Sequence, residues 1–147
     1  IAPRGTPGRA AVINLHKSTG IVLAVFIAVR LLWRLRHAAP AWPEALPAWQ
    51  RRAAALGHRT LYACMLLMPL SGYLGSNFSK HGVKFFGLAL RPWGPDLPQV
   101  YSVFNGMHIA TAWVFSALIV GHIVIALKHA LVDRETVFSR MWPAPRA

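Results

Sequence analysis

The longest uncharged segment of the chain, residues 97–127, limits the possible folds most. It contains no Lys, Arg, Asp or Glu, and a helix needs about 20 apolar residues to cross the hydrocarbon core of a bilayer. We therefore predict a membrane-spanning helix over residues 98–131. Two histidines, His108 and His122, lie inside it, and an ionisable residue within a span is a functional candidate by default.

The spacing of these two histidines places both on one face of the predicted helix. They are 14 positions apart, which is just under four turns at about 3.6 residues per turn. Along the axis they lie about 21 Å apart, one toward each side of the membrane. This pattern favours two stacked redox sites, most simply two haems. The alternative is a pair of histidines that hydrogen-bond to neighbouring helices.

The composition is typical of a small helical membrane protein. Of 147 residues, 55% are hydrophobic and four are acidic. The formal net charge of +12 does not indicate a nucleic-acid partner, because the basic residues flank apolar segments, where charge sets membrane topology. The single cysteine, Cys64, excludes an intrachain disulfide, and the chain has no C-x-x-C-H motif. Any haem is therefore expected to be a non-covalent haem b.

Two further apolar segments predict helices over residues 12–35 and 53–75. Residues 1–11, rich in Gly, Pro and Arg, are predicted to form a loop, and residues 76–99 form the longest polar connection. The predicted fold class is all-α, a transmembrane helical bundle. We expect one domain over residues 1–147, with three spans surrounded by membrane lipid.

Basic residues are more frequent on one side of these spans. By the positive-inside rule that side is cytoplasmic, so we expect a multi-pass protein with a cytoplasmic C-terminus. The other, outer side carries cations that either bind anions, such as haem propionates or a small substrate, or contact lipid phosphates. The ten inner cations are Arg30, Arg34, Arg36, Arg51, Arg52, Arg59, Lys128, Arg134, Arg140 and Arg146; the six outer ones are Arg4, Arg9, Lys17, Lys80, Lys84 and Arg91.

His16 and His108 match in depth, since each lies near the outer end of its predicted helix. A bis-histidine haem needs two imidazoles from facing helices at one depth, with each ring donating its second N–H to a fixed acceptor. His122 needs a partner near the inner side, either His58 or a histidine on a preceding helix. A zinc site or a proton pathway is less well supported, because the spans contain no carboxylates. Surface or interfacial positions are expected for His37, His81 and His129.

The residues around these histidines resemble the bacterial cytochrome b561 family of membrane di-haem proteins. LHKSTG at His16 is similar to that family's second helix, and ALGHRTLYACMLLMPLSGYLGS at His58 to its third. GMHIATAWVFSALIVGHIVIALKH, with His108 and His122, is similar to the fourth, and DRETVFSRMWP to the terminal segment. The family's first helix has no counterpart in this chain: either the chain begins after that helix or the protein has lost it. We therefore expect one or two b haems.

The resemblance implies a four-helix bundle with two b haems in the bacterial inner membrane. It implies that His16 and His108 are the axial ligands of the outer haem iron. His122 would ligate the inner haem iron with a histidine of the first helix, and His58 would border haem or quinone.

Two functions follow from the resemblance. The first is single-electron transfer between an outer-side donor and a membrane quinone such as ubiquinone; some members resemble superoxide:ubiquinone oxidoreductases. The alternative is a haem-binding anchor subunit that docks a redox partner protein within a larger respiratory or dehydrogenase complex.

Overall fold

Three long helices and one short hairpin form the protein. The computed structural model describes residues 6–38 and 47–132. The elements in chain order are α1 (Pro7–Arg36), α2 (Ala48–Asn77), β1 (Val83–Phe85), β2 (Leu88–Leu90) and α3 (Pro98–Leu131). The all-α class is confirmed, with the small hairpin as an addition that the sequence did not predict.

Three of the predicted boundaries are wrong. α1 begins at Pro7, so residues 7–11 are helical and not part of a loop. Proline is favoured at the first helical position because its fixed φ suits the helix and the N–H that it lacks has no partner there. α2 begins at Ala48 and extends to Asn77, beyond the predicted range at both ends. The predicted bounds of α3 are confirmed.

Two of the described helices, Gly8–Arg36 and Pro98–Leu131, are long and apolar enough to cross a bilayer. Almost none of their side chains is buried within the protein, which suits helices whose outer faces contact lipid. α2 is less apolar than these two. That all three helices span the membrane stays a prediction.

α2 lies between the other two helices. It packs along both α1 and α3, whereas α1 and α3, as far as the structure describes them, have no pair of Cα atoms within 8 Å. Small residues make the contact with α3 close: a Cβ added to Gly75 would lie 3.1 Å from Phe104 Cβ. Cys64 is buried in α2, as expected of a small packing residue. The separation of α1 from α3 leaves a gap on one side of the bundle.

Ser18 attaches the hairpin to α1. Its side chain is 1% exposed, and its hydroxyl group lies 2.8 Å from Asn14 O and 3.0 Å from Lys84 O, the two carbonyls to which it donates. The same oxygen accepts a hydrogen bond of 2.9 Å from the Phe86 N–H. One hydroxyl therefore joins the first turns of α1 to β1 and to the hairpin turn.

The hairpin turn has two residues in the left-handed region, Phe86 at φ 45° and Gly87 at φ 96°. Two positive φ values are typical of the type I′ turn, which usually contains Asn or Gly. The hydrogen bond from Phe86 to Ser18 helps to hold a non-glycine residue in this conformation. Lys17 adds a second link, since its Nζ donates to Gly82 O over 2.6 Å.

We expect Ser18→Ala to loosen the hairpin, because the change leaves the Phe86 N–H without its acceptor. A lost buried hydrogen bond costs about 1–3 kcal/mol, so hydrogen–deuterium exchange at the Phe86 amide should accelerate about tenfold or more. Ser116→Ala, which removes an exposed hydroxyl of α3, is the matched control. Equal protection in wild type and Ser18→Ala would show that this hydroxyl does not hold the hairpin.

Candidate functional site

His16 of α1 and His108 of α3 face each other across the gap. Their ring centroids are 5.9 Å apart and their planes are 85° apart. The two helices do not touch here through their backbones, so the imidazoles are the groups that approach each other. The structure thus brings together the pair that the sequence predicted from depth alone.

This spacing fits a metal held between two imidazoles. A metal–imidazole nitrogen bond is about 2 Å long, and the nitrogen lies about 1 Å from the centre of its ring. Two such bonds on one axis place the ring centroids about 6 Å apart, as in a bis-histidine haem. The observed separation of 5.9 Å matches this value.

The backbone of α2 orients the His108 ring. His108 Nδ1 donates a hydrogen bond of 2.9 Å to Met68 O, and since a carbonyl can only accept, this nitrogen carries the proton. The Ser71 hydroxyl oxygen lies 3.3 Å from the same nitrogen and donates its own hydrogen to Leu67 O. The Nε2 lone pair is therefore available to a metal, as the expected orientation of a ligating histidine requires.

Gly72 makes room for the same ring. A Cβ at this position would lie 3.0 Å from His108 Cε1 and 3.1 Å from Nδ1. The imidazole is therefore packed directly against the α2 backbone, one turn from the carbonyl that accepts its proton. Gly72 is thus the residue of α2 against which His108 packs.

A cavity of about 1600 Å³ opens between α1, α2, α3 and the hairpin, with His16 and His108 on its wall. Sites for small ligands usually have volumes of about 300–1,000 Å³, so this one can admit a large flat group. Gly20 and Gly72 lie on its helical walls, where the absence of a side chain leaves space for a planar ligand. Together with the imidazole spacing, the cavity fits a haem.

The end of this cavity beside the hairpin is cationic. Arg9, Lys17, Lys80 and Lys84 line it, whereas Arg91 is exposed and lies outside the lining. Asp96, the only carboxylate side chain among the described residues, also lines the cavity, and its Oδ1 accepts from the Lys80 backbone N–H over 3.1 Å. The resulting positive potential favours anionic groups at this end.

A second histidine pair lies between α2 and α3. The ring centroids of His58 and His122 are 5.4 Å apart, with an interplanar angle of 64°. The structure therefore gives His122 a facing imidazole from within this chain.

Of the remaining histidines, two are exposed as predicted and one is not. His37 is exposed and follows the last turn of α1, where its ring stacks on Trp33 with centroids 3.9 Å apart. His81 is also exposed, and it lines the cavity. His129, for which a surface or interfacial position was expected, is half-buried near the end of α3.

Two residues that support the site have no strong sequence signal. Asn77, which is 3% exposed, ends α2; its amide donates to Tyr73 O over 2.9 Å and its carbonyl oxygen lies 3.4 Å from the Trp93 N–H. These bonds direct the chain from α2 toward the start of α3. Ser18 positions the hairpin in a similar way. Its position two residues after His16, within HKSTG, was the one sequence feature that could have indicated a role near the site.

Comparison with known proteins identifies a family of similar chains. The family model described as prokaryotic cytochrome b561 matches residues 1–144. Cytochrome b561 homolog 2 of Escherichia coli K12 is 33% identical over 129 residues, which are 87% of this chain and 69% of that protein. Cytochrome b561 homolog 1 of the same organism is 28% identical over 141 residues, or 96% of this chain and 80% of the relative.

We expect Gly72→Val to weaken haem binding between His16 and His108. The added methyl groups would occupy the space of the His108 ring, and overpacking of this kind costs about 1–3 kcal/mol, or about a tenfold loss of affinity. Haem absorbance per chain measures the change. Gly106→Val is the matched control, since a Cβ at Gly106 meets nothing within 4 Å; equal haem content in both variants would contradict the role of Gly72.

Proposed function

The chain belongs to the prokaryotic cytochrome b561 family, and from this premise we propose that it transfers single electrons between an outer-side donor and a membrane quinone. The family makes the chain a membrane b-type cytochrome, whose haem supplies the one-electron chemistry. The observation that carries the proposal is the His16–His108 pair, 5.9 Å apart on the wall of a cavity large enough for haem.

In this proposal His16 and His108 are the axial ligands of an outer haem. The bond from His108 Nδ1 to Met68 O holds the ring in one tautomer, and the contact with Gly72 prevents it from turning. Such restraint keeps ligand geometry constant between oxidation states and makes the ring a better donor to iron. The protein sets the reduction potential through these contacts and through burial.

We assign a second haem to His58 and His122. The support is that the two rings face each other, with centroids 5.4 Å apart. This separation is shorter than the value of about 6 Å for a bis-histidine haem, so α2 and α3 would have to separate at this point to admit the haem. The family resemblance instead implies a histidine of a first helix as the partner of His122. The two assignments differ in a measurable way, because only the first makes haem content depend on His58.

The donor that we propose is superoxide. The cationic end of the cavity, with Lys17, Lys80 and Lys84 on its wall, suits a small anion and brings it close to the outer pair of histidines. Each superoxide ion gives up one electron and becomes dioxygen. Two such electrons, with two protons, reduce one ubiquinone to the quinol.

The membrane is the bacterial inner membrane in this proposal, with the hairpin on the outer side and the C-terminus in the cytoplasm. The support is the distribution of cations along the whole sequence, ten toward one side and six toward the other. Arg4, Arg134, Arg140 and Arg146 contribute to that bias but lie outside the described residues.

Haem content of histidine variants tests both ligand pairs. We expect two haems per chain in the wild type and one each after His108→Ala and His58→Ala, by reduced-minus-oxidised spectra with quantified haem. His37→Ala, which removes an exposed histidine outside both pairs, is the control and should keep two. A colourless wild type would contradict the electron-transfer function, and two haems in His58→Ala would place the inner ligand elsewhere.

Quinone reduction by the purified protein tests the donor. With enzymatically generated superoxide as donor, the purified protein should reduce a ubiquinone analogue without any partner protein. An anchor subunit would reduce the quinone only in the presence of its partner. Lys84→Gln should lower this rate about tenfold at low ionic strength, because steering by charge is of that order, and added salt should remove the difference.

Arg91→Gln is the matched control for that measurement. It removes an outer cation that does not line the cavity, so it should leave the rate near that of the wild type. Equal losses in the Lys84 and Arg91 variants would show that general charge, and not the cavity, attracts the donor.

A further inference from the structure

Two arginines of α1 meet α2 at the end of the bundle away from the hairpin, and the proposed electron transfer does not use them. Arg30 and Arg34 are four residues apart, so their side chains leave the same face of the helix. Arg30 Cζ lies 5.9 Å from the centre of the Tyr62 ring of α2, and Arg34 lies one turn further along the same face of α1. The two guanidinium groups thus follow the seam between antiparallel helices.

Exposed tryptophans place this seam at the depth of lipid headgroups. Trp33, between the two arginines in α1, is 66% exposed, and Trp49, in the first turn of α2, is 68% exposed. Tryptophan is enriched at membrane–water interfaces, where the ring is apolar and its N–H contacts water. The arginines therefore lie where phosphate groups of a bilayer are found.

In the described part of the chain the only carboxylate side chain is Asp96, which accepts a hydrogen bond from the Lys80 backbone just before the hairpin. No described carboxylate is therefore available to Arg30 and Arg34. Arg34 uses one N–H in a bond of 3.1 Å from Nη1 to His37 O, and a guanidinium group carries five N–H donors. The remaining donors form a planar fork that matches phosphate oxygens.

We propose that Arg30 and Arg34 bind the phosphate of an anionic phospholipid headgroup at the α1–α2 seam. The Tyr62 ring stabilises the Arg30 cation from one side. Toward the membrane centre the same region of α1 presents Leu23 and Phe26, which are 52% and 66% exposed and can contact an acyl chain. Free inorganic phosphate offers the same oxygens but gains nothing from these apolar side chains.

Lipid-dependent thermal stability of the full-length, haem-loaded protein tests the site. A ligand that binds the folded state raises the unfolding temperature by mass action. We expect phosphatidylglycerol added to detergent-purified protein to raise Tm by several degrees, and phosphatidylcholine with the same acyl chains to give a much smaller shift. Inorganic phosphate at equal concentration should give none. A shift with inorganic phosphate as large as that with the lipid would overturn the lipid assignment.

Matched double variants separate a discrete site from general charge. Arg30→Gln with Arg34→Gln should abolish the phosphatidylglycerol shift, whereas Arg51→Gln with Arg52→Gln, which removes two exposed cations at the start of α2, should keep it. Equal losses in both double variants would overturn the proposal.

Lysine variants retain the positive charge, so they separate the loss of the guanidinium groups from a folding defect caused by the loss of charge. Arg30→Lys with Arg34→Lys should reduce the shift, because lysine lacks the planar fork; a full shift would contradict bidentate binding of the headgroup. The visible spectrum of the wild type separates this inference from the proposed function. Equal Tm shifts with phosphatidylglycerol and phosphatidylcholine in a wild type with full haem content would contradict the inference alone. A wild type without haem would contradict only electron transfer.

Discussion

The close packing of α3 on α2 at Gly72 is the contact on which the site depends. The glycine lets the His108 ring lie against the α2 backbone, where Met68 O accepts its proton. With a larger residue the ring would move toward α1 and narrow the gap in which His16 faces it. α2 therefore sets the width of the site even though it supplies neither of the two facing imidazoles.

The hairpin fixes the other half of the same geometry. Ser18 lies two positions after His16 and is bonded to both β1 and the hairpin turn, so the start of α1 cannot slide along its axis without breaking these bonds. Lys17, next to it, reaches Gly82 O while lining the cavity. One short segment of α1 thus sets the depth of an imidazole and contributes positive charge beside it.

The sequence predicted what hydrophobicity and helical period determine. The bounds of α3 followed from its lack of charge, and the pairing of His16 with His108 followed from depth. The hairpin was not predicted because the dipeptide Phe86–Gly87 is a weak turn signal. Phe86 has a left-handed backbone conformation, and its N–H is bonded to Ser18, which is far away in the sequence. Met68 O could not be predicted, since every residue carries a carbonyl, and depth alone could not decide which helix faces His122.

The separation of α1 from α3 also affects how a cofactor is held. α2 and α3 contact each other directly, so the contact between them that presents His108 does not involve α1. α1, which carries His16, is held by α2 and the hairpin. A flat cofactor between the two imidazoles would therefore bridge two helices that, as far as the structure describes them, have no direct backbone contact of their own. Retention of the cofactor thus depends on how strongly α1 is held by its contacts with α2 and the hairpin.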